Sequence, residues 1–373
     1  MSTQASGKEK TPLTHGLTVK KSEDFSEWYN QVVQKAELAD HAPIHGFMVI
    51  RPNAYALWEN IQHFFNAIIE KRGVRNAYFP LLIPESFFKK EAEHFEGFEA
   101  EVAWIERKDD KEERVAIRPT SETIMYHTFA QWIRSHRDLP LRINQWCNVL
   151  RWEVKQTKLF LRTREFLWQE GHCAYATHEE CRKEALEMIH EYAHVAEDLL
   201  AIPVIAGRKT EMERFPGAVE TLTIEAFMPD GKSLQMGTSH DLGEHFSRVF
   251  DVKYAGEDEK EHYAHISSWG FSTRLIGAVV MAHGDDKGLV IPPRLAKNKV
   301  VIVPILFEQT KEHVLKVGKE LEQQLHAFGA MLDTREQFSP GWKFNEWELK
   351  GIPLRIELGP RDIGQQQCVL VRR

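Results

Sequence analysis

Arg151, Glu153, Arg162, Arg164, Glu165 and Glu170 are interleaved with Trp152, Phe166 and Trp168 in the stretch NQWCNVLRWEVKQTKLFLRTREFLWQEGH, Asn144 to His172. Guanidinium forks grip phosphate while a ring stacks on a base, so arginines beside aromatics suit a planar, polyanionic ligand. A sheet face laced with cross-strand ion pairs explains the same pattern. Three other groups carry chemistry. In RPTSE (Arg118–Glu122), Thr120 or Ser121 suits a helix N-cap. The rival reading turns Thr120 and Glu122 into a pocket where Glu122 receives an ammonium. A second cluster holds Gln235, Gly237, Thr238, Ser239 and His240, where glycine lets backbone approach a ligand closely. In SSWGFSTR, Arg274 enters an apolar helix, and a buried arginine needs an anion. Glu225 serves structurally, and a phosphate serves functionally.

The elements that must position these residues follow from periodicity. Gln145–Val154 alternates and reads as a strand, Lys155–Phe160 as a polar loop, and Arg162–Trp168 as a returning strand. Upstream, Phe25, Trp28, Tyr29, Val32 and Val33 recur at helical spacing, which makes Trp28 core. A second helix follows Pro52, capped by Asn53, with Leu57, Ile61, Phe64 and Ile68 on one stripe and Gly73 ending it. VRNAYFPLLIP is an apolar strand whose Pro80 fits an edge or a subunit contact. Glu101–Glu106 and Arg114–Ile117 flank the turn KDDKEE as a hairpin, and the helix opened by RPTSE runs to about His136. Thr177 and Glu180 form a capping box for a helix over His178–Leu200, with Ala185, Met188, Tyr192 and Val195 inward. Two alternating strands surround Pro229-Asp230-Gly231.

Beyond a linker at Leu289–Asn298, strands alternate with helices from Lys299 to Arg373. That alternation predicts a small α/β domain with a largely parallel sheet. Its first helix, Lys311–Phe328, turns Val314, Leu321, Leu325 and Phe328 inward. The chain stops at Arg373 inside a basic strand, which points to truncation.

The chain has 373 residues, more than one core usually holds, so two domains are expected. A net charge of −7 excludes a generally basic nucleic-acid coat, leaving local patches to meet any such partner. Four cysteines without CxxC spacing (Cys147, Cys173, Cys181, Cys368) argue for a reducing cytosol and against a zinc site. No apolar run approaches a membrane span. MSTQASGKEKTPLTHG reads as a polar tail without a signal-peptide core.

Taken together, these segments resemble the class II aminoacyl-tRNA synthetases, and most closely the archaeal/eukaryotic-like prolyl-tRNA synthetases, from about Asp24 onward. RGVRNAYFP looks like motif 1, with Pro80 at the dimer interface. RWE followed by RTREF looks like motif 2, and WGFSTR like motif 3. RPTSE, LWQEGH and GTSH are similar to phrases of the prolyl enzymes. The resemblance implies an α+β catalytic domain, an antiparallel sheet flanked by helices, over residues 24–290. A tail over 1–23 precedes it; a linker over 291–298 and an incomplete α/β anticodon-binding domain over 299–373 follow. It implies ATP and Mg2+ as cofactors, L-proline and tRNA(Pro) as substrates, and a cytoplasmic homodimer.

The resemblance also implies roles. Arg151 reaches the ATP α-phosphate and the amino acid carboxylate. Arg162 holds the γ-phosphate, Phe166 stacks on adenine, and Glu153 contacts the base side. Arg274 closes over adenine and the terminal phosphates, with Thr163, Thr238 and Ser272 nearby. Gln235 contacts magnesium with ATP. Thr120, Glu122, Trp168, Glu170, His172 and His240 line the proline pocket, and Trp168 with Phe215 walls the ring. Two departures stand out. The interval from Phe166 to Arg274 is too short for the editing insertion of the bacterial-type enzyme. The zinc-like C-terminal domain does not follow Arg373. A synthetase-derived regulatory or RNA-binding paralogue is the alternative class, although all three motif arginines are present. A threonine or glycine enzyme is weakened by the joint occurrence of TSE, EGH and TSH.

Overall fold

The computed structural model of the chain describes residues 16–92, 102–107, 109 and 111–373. Residues 1–15 of the expected polar tail, Glu101 of the expected hairpin, and residues 108 and 110 of its turn lie outside the described residues. Backbone contacts group the chain into two compact units. One comprises Glu37–Ala282 with Pro292–Lys297, and the other gathers Met1–Ala36, His283–Ile291 and Asn298–Arg373.

The larger unit is built on a seven-stranded sheet. In chain order its strands are β1 (Arg75–Asn76), β2 (Leu141–Leu150), β3 (Glu165–Tyr175), β4 (Ile205–Arg208), β5 (Glu220–Phe227), β6 (Ser233–Gly243) and β7 (His265–Ser272). In space they run β1-β2-β3-β7-β6-β5-β4, with only the short β1 parallel to its neighbour. Successive side chains on a strand point to opposite faces, so each face can be read from register.

One face packs on helices. Gln169 of β3 accepts the Tyr192 hydroxyl at 2.7 Å from the helix His178–His194, whose Thr177–Glu180 capping box forms as expected. Ala185, Met188, Tyr192 and Val195 are buried, but the α-helix gives way to a π-helical turn at Val195. Trp58 and Phe65 from the helix Pro52–Lys71 meet Trp146 and Phe271 edge-on. Gly171 belongs to this packing: a Cβ there would lie 2.1 Å from the Trp269 ring. That close approach is why the residue between Glu170 and His172 is glycine.

Several local expectations are corrected. The hairpin strands are β2 and β3, so the chain leaves the sheet at Leu150 and re-enters at Glu165. Arg151, Glu153 and Arg162 therefore sit on the connecting loop, not on strands. Pro52 occupies the first helical position and Arg51 the N-cap, which places Asn53 inside the helix. The buried stripe uses Phe65 and Ile69, while Phe64 and Ile68 are only partly buried. VRNAYFPLLIP is not one strand: it pairs at Arg75–Asn76 and Leu82–Pro84 and is irregular around the exposed Pro80. The helix after RPTSE ends at Trp132.

The other unit carries a four-stranded sheet in the order Met331–Leu332, Val300–Pro304, Leu354–Leu358, Val369–Arg372. The first three strands are parallel and the last is antiparallel. Val300, Ile302, Ile356 and Leu358 form its core, with Leu321 and Leu325 packed on them. Phe328 is 54% exposed, contrary to expectation, because the α-helix stops at Gln324 and a 3-10 turn follows. The expected linker is irregular, yet Leu289 and Leu295 are fully buried. Arg373 donates to both carboxylate oxygens of Asp285, at 2.6 and 2.9 Å.

Candidate active site

The second face of the large sheet holds a cavity of about 510 Å3. Register arranges its floor in rows. Trp168 stands beside Ser272, Glu170 beside Gly270 and Thr238, and His172 beside Ser268, His240 and Thr221. Gly270 offers no side chain, so the middle row has a gap between Glu170 and Thr238. Thr120 and Glu122 enter from the start of the helix Glu122–Trp132, and Arg151, Glu153 and Phe166 from the ends of the hairpin. Gln235, at a β-bulge in β6, and Arg274, the first residue of the helix Arg274–His283, complete the lining.

Thirteen residues expected at the site therefore line one cavity: Thr120, Glu122, Arg151, Glu153, Phe166, Trp168, Glu170, His172, Gln235, Thr238, His240, Ser272 and Arg274. Phe215, expected as a ring wall, joins them. Two do not line it. Thr163 is buried and spends its hydroxyl on the Glu165 carbonyl at 2.7 Å. Arg162 is exposed on a tight loop, with its backbone paired to Lys158.

Glu170 is fully enclosed by donors. Ser121 Oγ lies at 2.5 Å, Gln145 Nε2 at 3.0 Å and His172 Nε2 at 3.2 Å. Burial alone would push this carboxyl up, but the hydrogen bond and charge of His172, with Ser121 and Gln145, outweigh it and hold the group low. His172 is fixed from its other side by the Tyr126 hydroxyl at 2.8 Å. Ser121 occupies the N-cap position yet makes no capping hydrogen bond, because its hydroxyl is turned to Glu170. Thr120 Oγ1 donates to Glu122 Oε2. The capping reading of RPTSE is thus not what these hydroxyls do.

The cations are placed differently. Arg274 donates to the carbonyls of Leu161 and Gln235, at 3.1 and 3.3 Å. Glu225 instead takes Lys209 at 3.7 Å and the Ser233 hydroxyl. Arg151 reaches the Pro119 carbonyl at 3.4 Å, with its guanidinium 5.3 Å from the Phe166 ring and 5.9 Å from that of Trp168. Among the described residues neither arginine has an ion-pair partner. Burial lowers Arg274, and the charges of Arg151 and Arg162 lower it further. Two buried cations that repel one another are costly, and a bound anion would relieve both desolvation and repulsion.

No local pattern marks Ser121, Gln145 and Tyr126 as supports of Glu170 and His172, or Lys209, Glu213 and Arg214 as part of the wall. Among the described residues no cluster of three His, Cys, Asp or Glu side chains is arranged to hold a metal, and no helix is long and apolar enough to cross a membrane.

Residues 99–283 match the family described as tRNA synthetase class II core domain (G, H, P, S and T), and residues 299–373 match the family described as anticodon binding domain. A proline--tRNA ligase of Alkaliphilus oremlandii is 53% identical over 94% of this chain and 73% of its own length. Proteins of the same name from Halorubrum lacusprofundi and Chlorobium chlorochromatii are 52% and 55% identical, over 96% and 95% of this chain and 74% of their own lengths. The motifs, the sheet that carries them and these relatives agree, and the chain belongs to the proline--tRNA ligase family of class II aminoacyl-tRNA synthetases.

Proposed function

We propose that the protein activates L-proline with ATP to prolyl-adenylate and transfers the prolyl group to the 3′ end of tRNA(Pro). The observation that carries this reading is one cavity lined by the Arg151 and Arg274 guanidinium groups, neither of them ion-paired among the described residues, and by the Thr120–Glu122 pair. In the first step a carboxylate oxygen of proline forms a bond to the α-phosphorus, and the bond to pyrophosphate breaks. Two anions must be brought together, and charge must be stabilised as pyrophosphate leaves. Positioned cations supply that without a protein nucleophile.

Arg151 bridges the carboxylate and the α-phosphate. Phe166 stacks on adenine, Glu153 contacts the base side, and Arg274 with Thr238 and Ser272 covers base and phosphates. Arg162 holds the γ-phosphate once its exposed side chain swings in, while Thr163 supports the loop. Gln235, which lines the cavity, would contact the Mg2+ that accompanies ATP, and that ion would supply neutralisation of phosphate charge. Glu122 and Thr120 take the proline ammonium, Trp168 and Phe215 wall its ring, and Glu170, His172 and His240 shape the pocket floor. Residues 24–290 form the catalytic domain of this reading, and residues 299–373 read the tRNA.

Amino-acid-dependent exchange of pyrophosphate into ATP, run across all amino acids, tests the reading. Proline is expected to dominate. Exchange strongest with another amino acid, or with none, overturns it.

A homodimer completes the proposal. Tyr78 and Leu82 are 70% and 42% exposed on either side of Pro80, and Tyr55 is 43% exposed on the helix Pro52–Lys71, large side chains that a partner subunit would cover. Sedimentation is expected to give a dimer at micromolar protein. A monomer that retains exchange activity would count decisively against it.

A further inference from the structure

The cavity holds two imidazoles in one cross-strand row, and they are held in different ways. Both ring nitrogens of His172 are engaged, one by Tyr126 and one by Glu170. In His240 the engaged nitrogen is Nδ1, 3.0 Å from Thr221 Oγ1 across the β5–β6 pair. The same hydroxyl accepts the backbone N–H of Phe215 at 3.0 Å. A threonine hydroxyl has one hydrogen and two lone pairs. With one lone pair given to Phe215, its hydrogen points to Nδ1. Were Nδ1 protonated instead, it would fill the second lone pair. The hydroxyl hydrogen of Thr221, a residue only 1% exposed, would then be buried without an acceptor. Satisfying all three groups leaves Nδ1 bare and the proton on Nε2, the nitrogen His240 brings to the cavity. The Phe215 ring lies over His240 at 4.7 Å between centroids and 34° between planes.

We propose that Thr221 is a positioning residue for the amino acid substrate: it fixes His240 as the Nε2–H tautomer and seats Phe215 over the imidazole. The pocket wall then presents a neutral N–H donor beside an apolar ring. Burial, with His172 and Lys209 nearby, pushes His240 down to about 3, so the donor stays uncharged near neutral pH. A donor cannot serve the substrate ammonium, which belongs to Thr120 and Glu122. It leaves the ammonium to that pair and the carboxylate to Arg151, and keeps the wall beside the Phe215 ring free of a competing acceptor or charge. This inference rests on the reading that the site activates an amino acid.

Thr221→Val removes the hydroxyl at nearly constant shape, and Thr221→Ser keeps it. In the full chain with 15N-labelled histidine, assigned by the signal lost in His240→Gln, the parent and Thr221→Ser are expected to show bare Nδ1 and protonated Nε2. Thr221→Val is expected to show a tautomer mixture. Proline KM in pyrophosphate exchange should rise about tenfold in Thr221→Val, with ATP KM and kcat within about twofold, and return to within about threefold of the parent in Thr221→Ser. Protonated Nδ1 in the parent, unchanged proline KM in Thr221→Val, or no recovery in Thr221→Ser would overturn the proposal. A parent that activates no amino acid would overturn the functional reading and the substrate half of this inference, while the nitrogen shifts still decide the tautomer.

Discussion

Arg151→Ala is expected to lower proline-dependent pyrophosphate exchange by at least about a hundredfold, because losing a charge-assisted fork at a reacting centre costs roughly 3 kcal/mol or more in the transition state. Two features of the structure make this the largest single effect. The guanidinium stands over Phe166 and Trp168, and among the described residues its hydrogen bond is to the Pro119 carbonyl at 3.4 Å, which leaves most of its donors for a ligand in the cavity it lines. Burial lowers it, and the nearby charges of Glu153, Glu122 and Glu170 only partly restore it. The protein thus holds a cation at a desolvation cost that no ion pair offsets. Truncation should spare the fold, since the backbone N–H of Arg151 still bonds the Arg164 carbonyl at 2.7 Å and Glu170 takes its hydrogen bonds from Ser121 and Gln145, not from Arg151. Exchange within tenfold of the parent, with the variant's circular dichroism and melting temperature unchanged, would remove Arg151 from the reacting centre.

The parts legible in the sequence were those with short-range signals. The capping box at Thr177, the turn at Asp230-Gly231 and the inward stripe of Ala185, Met188 and Tyr192 are set by residues a few positions apart. The central hairpin was legible as well, but not its ends. The alternation runs on through Arg151, Trp152 and Glu153 although the chain has already left the sheet, and Trp152 is 41% exposed. Pattern alone does not distinguish an exposed loop aromatic from a strand residue. Arg274 was legible as a buried arginine at a helix start, but that Glu225 would not pair with it was not. That depended on where Lys209 and Ser233 take the glutamate. The rows of the site were the least legible. His172, Ser268, His240 and Thr221 become neighbours only through the register of four strands whose order in space is not their order in sequence. For the same reason Ser121, read as a cap, acts as a donor to Glu170.

Glu122→Gln is expected to lower kcat/KM for proline by about a hundredfold while leaving the ratio of proline to alanine nearly unchanged, since a hydrogen bond to a charged group contributes roughly 1.5–3 kcal/mol. The carboxylate is 5% exposed, lies in the cavity wall, and receives the Thr120 hydroxyl, so it enters the pocket as a fixed anion. Glutamine keeps the shape and the bond from Thr120 but removes the charge that meets the ammonium. Proline and alanine both carry that ammonium, and both carry the carboxylate assigned to Arg151. They differ in ring methylenes, which meet Trp168 and Phe215 instead. Each methylene is worth roughly 1–3 kcal/mol in an apolar pocket, so alanine should remain a weak but measurable substrate of the parent. Threonine and glycine should fall lower, one adding a hydroxyl where the walls are apolar and the other lacking apolar surface altogether. Charge recognition and ring recognition therefore reside in different residues, and a change to Glu122 should scale both amino acids together. Equal exchange with threonine, or a Glu122→Gln variant as active as the parent, would refute the pocket. A loss confined to proline would place Glu122 against the ring and not against the ammonium.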